Sequence, residues 1–161
     1  MVELLHVSPA EKAALFELVD EYLAELATHR ERPIGPTAAA EYQYLPEYWR
    51  EVGRHPFFVY RSGQLAGFVL VREVPGQRVI QMSDFFIRPP FRRAGVGRAT
   101  LAQLWRRFPG SWELQVHPRN EAASAFWPRC IAEFSAGPIR SEEAVEEDGR
   151  RVQYNFEIAA V

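Results

Sequence analysis

The chain has one cysteine, Cys130, and one lysine, Lys12, among 161 residues. A single cysteine excludes an internal disulfide and any multi-cysteine metal centre. The formal net charge is −2, so no broad positive field is available for nucleic acid or an anionic membrane surface. No apolar run approaches the roughly 20 residues that a bilayer-crossing helix needs. The start, Met1-Val2-Glu3-Leu4-Leu5, has no basic stretch followed by a long apolar core, so no secretory signal is read there and a cytoplasmic location is expected. No repeat, low-complexity tract or linker divides the sequence. The length suits one domain, 1–161, with enough residues to bury a core.

What is abundant is arginine, and its placement matters more than its number. Arginines crowd at 88, 92, 93, 98, 106 and 107, bracketing a pair of glycines, Gly95 and Gly97. The guanidinium fork matches phosphate geometry. Acidic residues collect instead at Glu142, Glu143, Glu146, Glu147 and Asp148.

The apolar spacing gives an order of elements. Val2 to Val7 reads as a strand. Leu15, Leu18, Val19, Tyr22, Leu23 and Leu26 recur at helical spacing between Pro9 and about His29, with Ser8 as N-cap and Glu11 three residues on. Pro33, Gly35 and Pro36 break the pattern, and a shorter helix is expected near Pro46 to Val52. Pro56–Tyr60 and Leu65–Val74 read as a hairpin, and Arg78–Ile87 as a third strand ended by Pro89-Pro90. A helix from Gly97 to Phe108, a strand Trp112–His117 and a helix Asn120–Ala132 follow. The tail is expected to give strands at Phe134–Ile139 and Arg151–Ile158, joined by an acidic loop.

The stretch Ser83 to Leu104 carries the chemistry. An apolar strand runs into an arginine- and glycine-rich turn that opens a helix. A helix N-terminus offers unpaired N–H groups and partial positive charge, and glycine lets an anion approach the backbone. That predicts a phosphate or pyrophosphate cradle. It is not a Walker loop, because no Gly-Lys-Ser/Thr follows. It is a poor dinucleotide fingerprint, because Thr100 stands where a small residue belongs.

Arg92-Arg93-Ala94-Gly95-Val96-Gly97 resembles the Gln/Arg-x-x-Gly-x-Gly/Ala cofactor loop of the GNAT family of N-acetyltransferases. Phe85-Phe86-Ile87-Arg88-Pro89 matches the strand and turn before that loop. Asn120-Glu121-Ala122-Ala123, followed by Phe126-Trp127, resembles the family's second element. The likeness covers about Pro56 to Ala132. It implies an α/β (α+β) single domain, with a central mixed, mostly antiparallel sheet flanked by helices and splayed at the central strand. It implies acetyl-CoA as cosubstrate, no metal, and an amine as acceptor, with a small molecule favoured over a protein lysine. Backbone groups of Phe85, Phe86 and Ile87 would pair with the pantetheine arm, and the backbone from Arg92 through Arg93, Ala94, Gly95, Val96 and Gly97 to Arg98 would hold the pyrophosphate. Asn120 would hydrogen-bond the arm and Phe126 would pack beside it. Late strands of this fold pair between subunits in some members, which leaves a homodimer open.

The chain departs from the family where proton transfer is expected. The family often has an acidic tyrosine seven residues after the asparagine; here Trp127 stands there, and an indole is no acid near neutral pH. The positions where the family carries carboxylates hold Gln81 and Gln115. Asp84 is the remaining candidate, either as base or substrate contact, or as a structural residue accepting backbone N–H bonds beside a bulge. His117, Glu113 and Cys130 read more simply as a strand-end histidine, an edge polar residue and a small buried thiol. The acceptor wall is expected from the first helices and the aromatic stretch after them, with Tyr22, Tyr44 and Trp49 foremost, and with Tyr42, Tyr48, Arg54, His29, Glu21, Glu25 and Glu41 nearby. A non-catalytic acyl-CoA sensor on the same fold is the second expectation, and a nucleotide-binding protein unrelated to acyl transfer a third.

Overall fold

The computed structural model describes residues 1–29, 42, 44–146 and 149–161. Seven strands form one sheet: β1 (Val2–His6), β2 (Arg54–Arg61), β3 (Gln64–Val74), β4 (Val79–Ile87), β5 (Gly110–Val116), β6 (Arg140–Glu146) and β7 (Gly149–Ile158). Their order is β1-β2-β3-β4-β5-β7-β6. Every neighbouring pair is antiparallel except β4 and β5. Three helices cover it: α1 (Lys12–Leu26), α2 (Val96–Arg107) and α3 (Glu121–Phe134). The architecture is the mixed, splayed sheet that the sequence implied.

α1 begins where expected. The Glu11 carboxylate accepts from the Ser8 N–H at 3.1 Å and the Ser8 hydroxyl at 2.9 Å, closing the turn that Pro9 opens. Its apolar stripe, Leu15, Leu18, Val19 and Leu23, packs with Phe58, Phe68, Leu70 and Phe86 on one face of the sheet. The opposite face carries α2 and α3, through Leu101, Leu104, Trp105, Trp127 and Ile131 against Val69, Val71, Trp112, Leu114 and Phe156. Covered on both faces, the middle of β3 reads as a near-continuous hydrophobic run, Leu65 to Val71.

One glycine is fixed by proximity. A Cβ on Gly67 of β3 would lie 1.9 Å from the Phe86 carbonyl oxygen of β4. Only glycine lets the two backbones meet here.

The C-terminal strands correct an expectation. Phe134 ends α3, residues 135–139 are not a strand, and the acidic run set aside as a loop supplies β6. Its residues are exposed along nearly the whole strand. At a sheet edge with water on both faces, charge carries little cost and blocks edge-to-edge association. Composition therefore did not reveal the strand. The expected helix at Pro46–Val52 is a 3₁₀ turn over Leu45–Trp49. The break anticipated from Glu31 onward, including Pro33, Gly35 and Pro36, and Glu41 of the acceptor wall lie outside the described residues, as do Glu147 and Asp148. Among the described residues no helix is long and apolar enough to cross a membrane.

Candidate active site

β4 and β5 run parallel and pair only at Val79–Gln81 with Ser111–Glu113. Beyond Gln81 no strand among the described residues covers the β5-facing edge of β4. The antiparallel pairing on its other edge, with β3, continues to Ile87. The sheet is therefore split, and β4 presents a row of backbone donors and acceptors across Met82–Ile87 to whatever enters the split. An extended ligand can add there as a strand does. Phe85, Phe86 and Ile87 lie on this edge. Their side chains alternate: Phe85 stacks on Phe126 at 6.1 Å between centroids and meets Trp127 edge-on at 5.1 Å, whereas Phe86 faces Tyr22 and Phe68.

The same register shows a bulge. Leu70 pairs with Asp84 and Val71 with Met82, so Ser83 has no partner on β3. The expected bulge beside Asp84 is present, and it sits where the split begins.

Above the split lies the arginine–glycine turn. Gly95 is the N-cap of α2 with φ +77, and Arg93 is also left-handed at φ +61. A Cβ added to Gly95 would find no atom within 4 Å, so open space faces the helix N-terminus. A Cβ on Gly97 would touch Phe126 at 3.0 Å, so this glycine lets α3 approach α2. The arginine side chains divide. Arg92 donates to the Ile87 carbonyl at 2.7 Å and to Glu25 of α1 at 2.8 Å. Arg98 bonds Glu133 of α3 through two N–H groups. Arg88 reaches Glu21 at 3.4 Å. These guanidinia tie helices to the turn, whereas Arg93 stays exposed. The side chains brace the turn, and what it offers at this place is backbone N–H groups leading up to Arg98, the Arg92 N–H itself already donating to the Pro89 carbonyl at 3.2 Å.

Asn120 caps α3, its Oδ1 accepting from the Ala123 N–H at 3.1 Å. The side-chain oxygen is thereby used and the NH₂ group is left as the donor toward the split. The cleft between β4 and β5 is lined by Tyr22, Ser83, Asp84, Phe85, His117, Asn120 and Trp127, among others. Sequence positions spread over a hundred residues converge there.

Asp84 is 7% exposed. Tyr22 Oη donates to its Oδ1 at 2.8 Å, and Tyr42 Oη donates to its Oδ2. Burial pushes its pKa up to about 6 from an ordinary 3.8, and the hydroxyls of Tyr42 and then Tyr22 pull against that rise. Tyr48 lies nearby, and its pKa is pushed up to about 12, by burial first and then by the charge of Asp84, while hydrogen bonding from Ser83 and the Arg54 guanidinium pull it down. The buried Arg54 guanidinium lies over the Tyr48 ring at 5.2 Å and the Tyr44 ring at 5.3 Å. Tyr44 itself is 51% exposed. Trp49 donates to the Val7 carbonyl at 3.1 Å and packs on Phe16. Of the three foremost wall residues, Tyr22 lines the cleft; Tyr44 and Trp49 do not. The polar partners of Asp84 escaped the sequence reading, and the only hint was the density of tyrosines at 42, 44 and 48.

A family model described as Acetyltransferase (GNAT) family matches residues 16–130. The chain belongs to the GNAT acetyltransferase family. The matched stretch includes Tyr22, Asp84, the arginine–glycine turn and Asn120, so it spans the whole split of the sheet. No curated protein sequence matches the chain. Solved structures share the fold at low identity. The spermidine N-acetyltransferase from Vibrio cholerae, solved in complex with CoA and spermine, superposes with a TM-score of 0.70 at 15% identity, covering 98% of this chain and 95% of that one. An acetyltransferase from Thermus thermophilus gives 0.70 at 16% identity, covering 98% and 97%. The ribosomal-protein-S18-alanine N-acetyltransferase from Escherichia coli gives 0.64 at 17%, covering 100% and 96%. At such identities the likeness concerns the fold alone.

Proposed function

We propose that this GNAT protein is an acetyl-CoA-dependent N-acetyltransferase acting on an amine of a small-molecule acceptor. The observation that carries the reading is the arrangement on β4. One strand offers an open edge for the pantetheine arm, leads into a glycine-capped helix N-terminus for the pyrophosphate, and holds a buried carboxylate at the apex of the split.

The residues support each requirement of the reaction. The backbone of Phe85–Ile87 would hold the arm, the turn from Arg92 to Arg98 the phosphates, and the Asn120 amide a carbonyl of the arm. An alkyl ammonium, with a pKa near about 10, must lose a proton before it attacks. Asp84, or a water held by it, takes that proton. The amine nitrogen bonds to the acyl carbon, the carbon–sulfur bond breaks, and the sulfur leaves as a thiolate. A backbone N–H at the Ser83 bulge is the donor available to the carbonyl oxygen as charge grows on it. The thiolate needs little help, since a thiol pKa is only about 8.5.

Isothermal titration with acetyl-CoA, followed by an amine panel with free-thiol detection, tests the reading. Saturable binding, turnover with at least one amine, and its loss in Asp84→Asn are the expected results. No binding at millimolar acetyl-CoA to the folded protein refutes it. A second reading, a non-catalytic acyl-CoA sensor, is favoured by one feature. Trp127 fills the place of the family's acidic tyrosine and is packed between Phe85 and Phe126. Binding without turnover across the panel selects that alternative.

A further inference from the structure

We propose that Tyr22 and Tyr42 are positioning residues that hold the two oxygens of the Asp84 carboxylate and keep it charged, ready to accept the proton of the incoming amine. The proposal rests on Asp84 being the proton acceptor, but its central claim is testable on the folded protein without turnover.

Three observations carry it. First, the donors are matched to the carboxylate one to one: Tyr22 Oη takes Oδ1 and Tyr42 Oη takes Oδ2. An aspartate serving only to satisfy a bulge would accept backbone N–H groups; this one accepts phenols brought from elsewhere in the chain. A carboxylate has about four acceptor sites, so two phenols leave room for an ammonium or a water. Second, the phenols are held in place. The Tyr22 ring is wedged edge-on against Phe68 at 5.4 Å and tilted against Phe86 at 5.7 Å. Third, Tyr42 cannot stop donating. Burial and the adjacent negative charge drive the Tyr42 pKa far above its ordinary value, so its hydroxyl keeps its proton at any pH where amines are acylated.

The surroundings leave this work to the two phenols. On β3 the residue opposite Asp84 is Leu70, which has no charge. From the 3₁₀ turn Tyr48 is near enough to feel the charge of Asp84, but among the described residues no hydrogen bond joins it to the carboxylate. Across the split, His117 lines the same cleft. No arginine or lysine side chain bonds the carboxylate among the described residues. Neutral donors stabilise the charged carboxylate without forming an ion pair that would compete with a cationic acceptor.

The test is a carboxyl titration. The chain contains three aspartates, Asp20, Asp84 and Asp148. Side-chain ¹³C labelling of aspartate therefore yields three signals, and Asp84→Asn assigns one. The full-length protein is titrated between pH 4 and 9 as wild type, Tyr22→Phe, Tyr42→Phe and Tyr48→Phe. Loss of one donor to a charged acceptor should raise the Asp84 midpoint by about one pH unit in each of the first two variants. Tyr48→Phe, which removes a hydroxyl that makes no hydrogen bond to the carboxylate, should leave it within about 0.3 units. Global incorporation of 3-fluorotyrosine, a stronger donor, should move the midpoint the other way, and it decides the matter should a phenylalanine variant fail to fold. Where an amine is turned over, the acid limb of kcat/KM should follow the same shifts. An Asp84 midpoint unmoved by both Tyr→Phe variants and by fluorotyrosine overturns the proposal. Absence of turnover with every amine, alongside the expected shifts, overturns the assignment of function instead.

Discussion

Replacing Asp84 with asparagine should make the protein relatively more stable as pH rises. Asp84 is buried, and its pKa in the folded chain stands near 6 against an ordinary 3.8. Below about pH 4 the carboxyl is protonated in both folded and unfolded chains, and burial costs the folded state no charge. Between about pH 4 and 6 the folded chain keeps a proton that the unfolded chain has released. Stability therefore falls as pH rises through that window and levels off above it. A pKa raised from 3.8 to about 6 corresponds to about 3 kcal/mol lost across the window. Asparagine does not titrate, so Asp84→Asn removes this slope. Its amide can accept from one tyrosine and donate to the other, which changes the baseline but not the pH dependence. Urea unfolding followed by circular dichroism at pH 4, 5, 6, 7 and 8, on wild type and variant, reads the difference directly. The stability of the variant minus that of the wild type should climb by about 2 kcal/mol from pH 4 to pH 8, the rest of the roughly 3 kcal/mol lying below pH 4. A difference constant within about 0.5 kcal/mol would refute the reasoning, because the carboxyl would then feel the same environment folded and unfolded. The same variant should lose acyl transfer at every pH, so stability and activity move in opposite directions. This is the pattern expected of a destabilising group retained for chemistry.

Three further perturbations separate scaffold from site. Gly67→Ala would place a Cβ 1.9 Å from the Phe86 carbonyl oxygen, which is backbone and cannot turn aside; a melting temperature lower by roughly 10 °C is expected by differential scanning calorimetry, following the cost of overpacking in a chain of this size. Gly95→Val meets no neighbour but forces a β-branched residue to φ +77; the cost in stability should be only about 1–2 kcal/mol, while calorimetric affinity for acetyl-CoA falls at least about tenfold, and Gly95→Asn should be milder on both counts. Trp127→Phe removes an indole that cannot protonate a thiolate, so kcat should stay within about threefold while KM for acetyl-CoA rises through lost packing on Phe85 and Phe126.

The parts of this molecule that were legible in its sequence are those in which a short stretch has a single physical solution. The run from Ser83 to Leu104 is apolar strand, glycine-bearing turn and amphipathic helix in direct succession, and the structure contains β4, a left-handed N-cap at Gly95 and α2. The bulge beside Asp84 was likewise anticipated, and Ser83 is the residue that β3 skips. Local chemistry failed where the decisive partner is distant or is water. β6 is a strand because β7 pairs with it, and its glutamates are tolerated because nothing covers either face. Arg92 and Arg98 flank the glycines, and their side-chain partners, Glu25 and Glu133, lie far off in sequence where no local pattern pointed to them.

The placement of Asp84 shows why a site can escape a motif reading while its cofactor loop does not. A phosphate cradle is made of backbone, so the residues that permit it are contiguous and constrained by conformation. A proton acceptor is made of environment. Tyr22 lies 62 positions from Asp84 and Tyr42 lies 42 positions away, and neither spacing means anything until the chain packs on β3 and β4 through Phe68 and Phe86. The absence of the usual carboxylates at Gln81 and Gln115 looked like a loss of chemistry. The structure supplies another use for the same strand. The bulge at Ser83 lies where β4 parts from β5, it turns Asp84 to the face opposite Met82, and that face carries Tyr22 and Tyr42. The edge that would bind the acyl donor and the carboxylate that would deprotonate the acceptor thus meet at one irregularity in one strand. Restoring regular pairing at Ser83 should therefore cost both functions together.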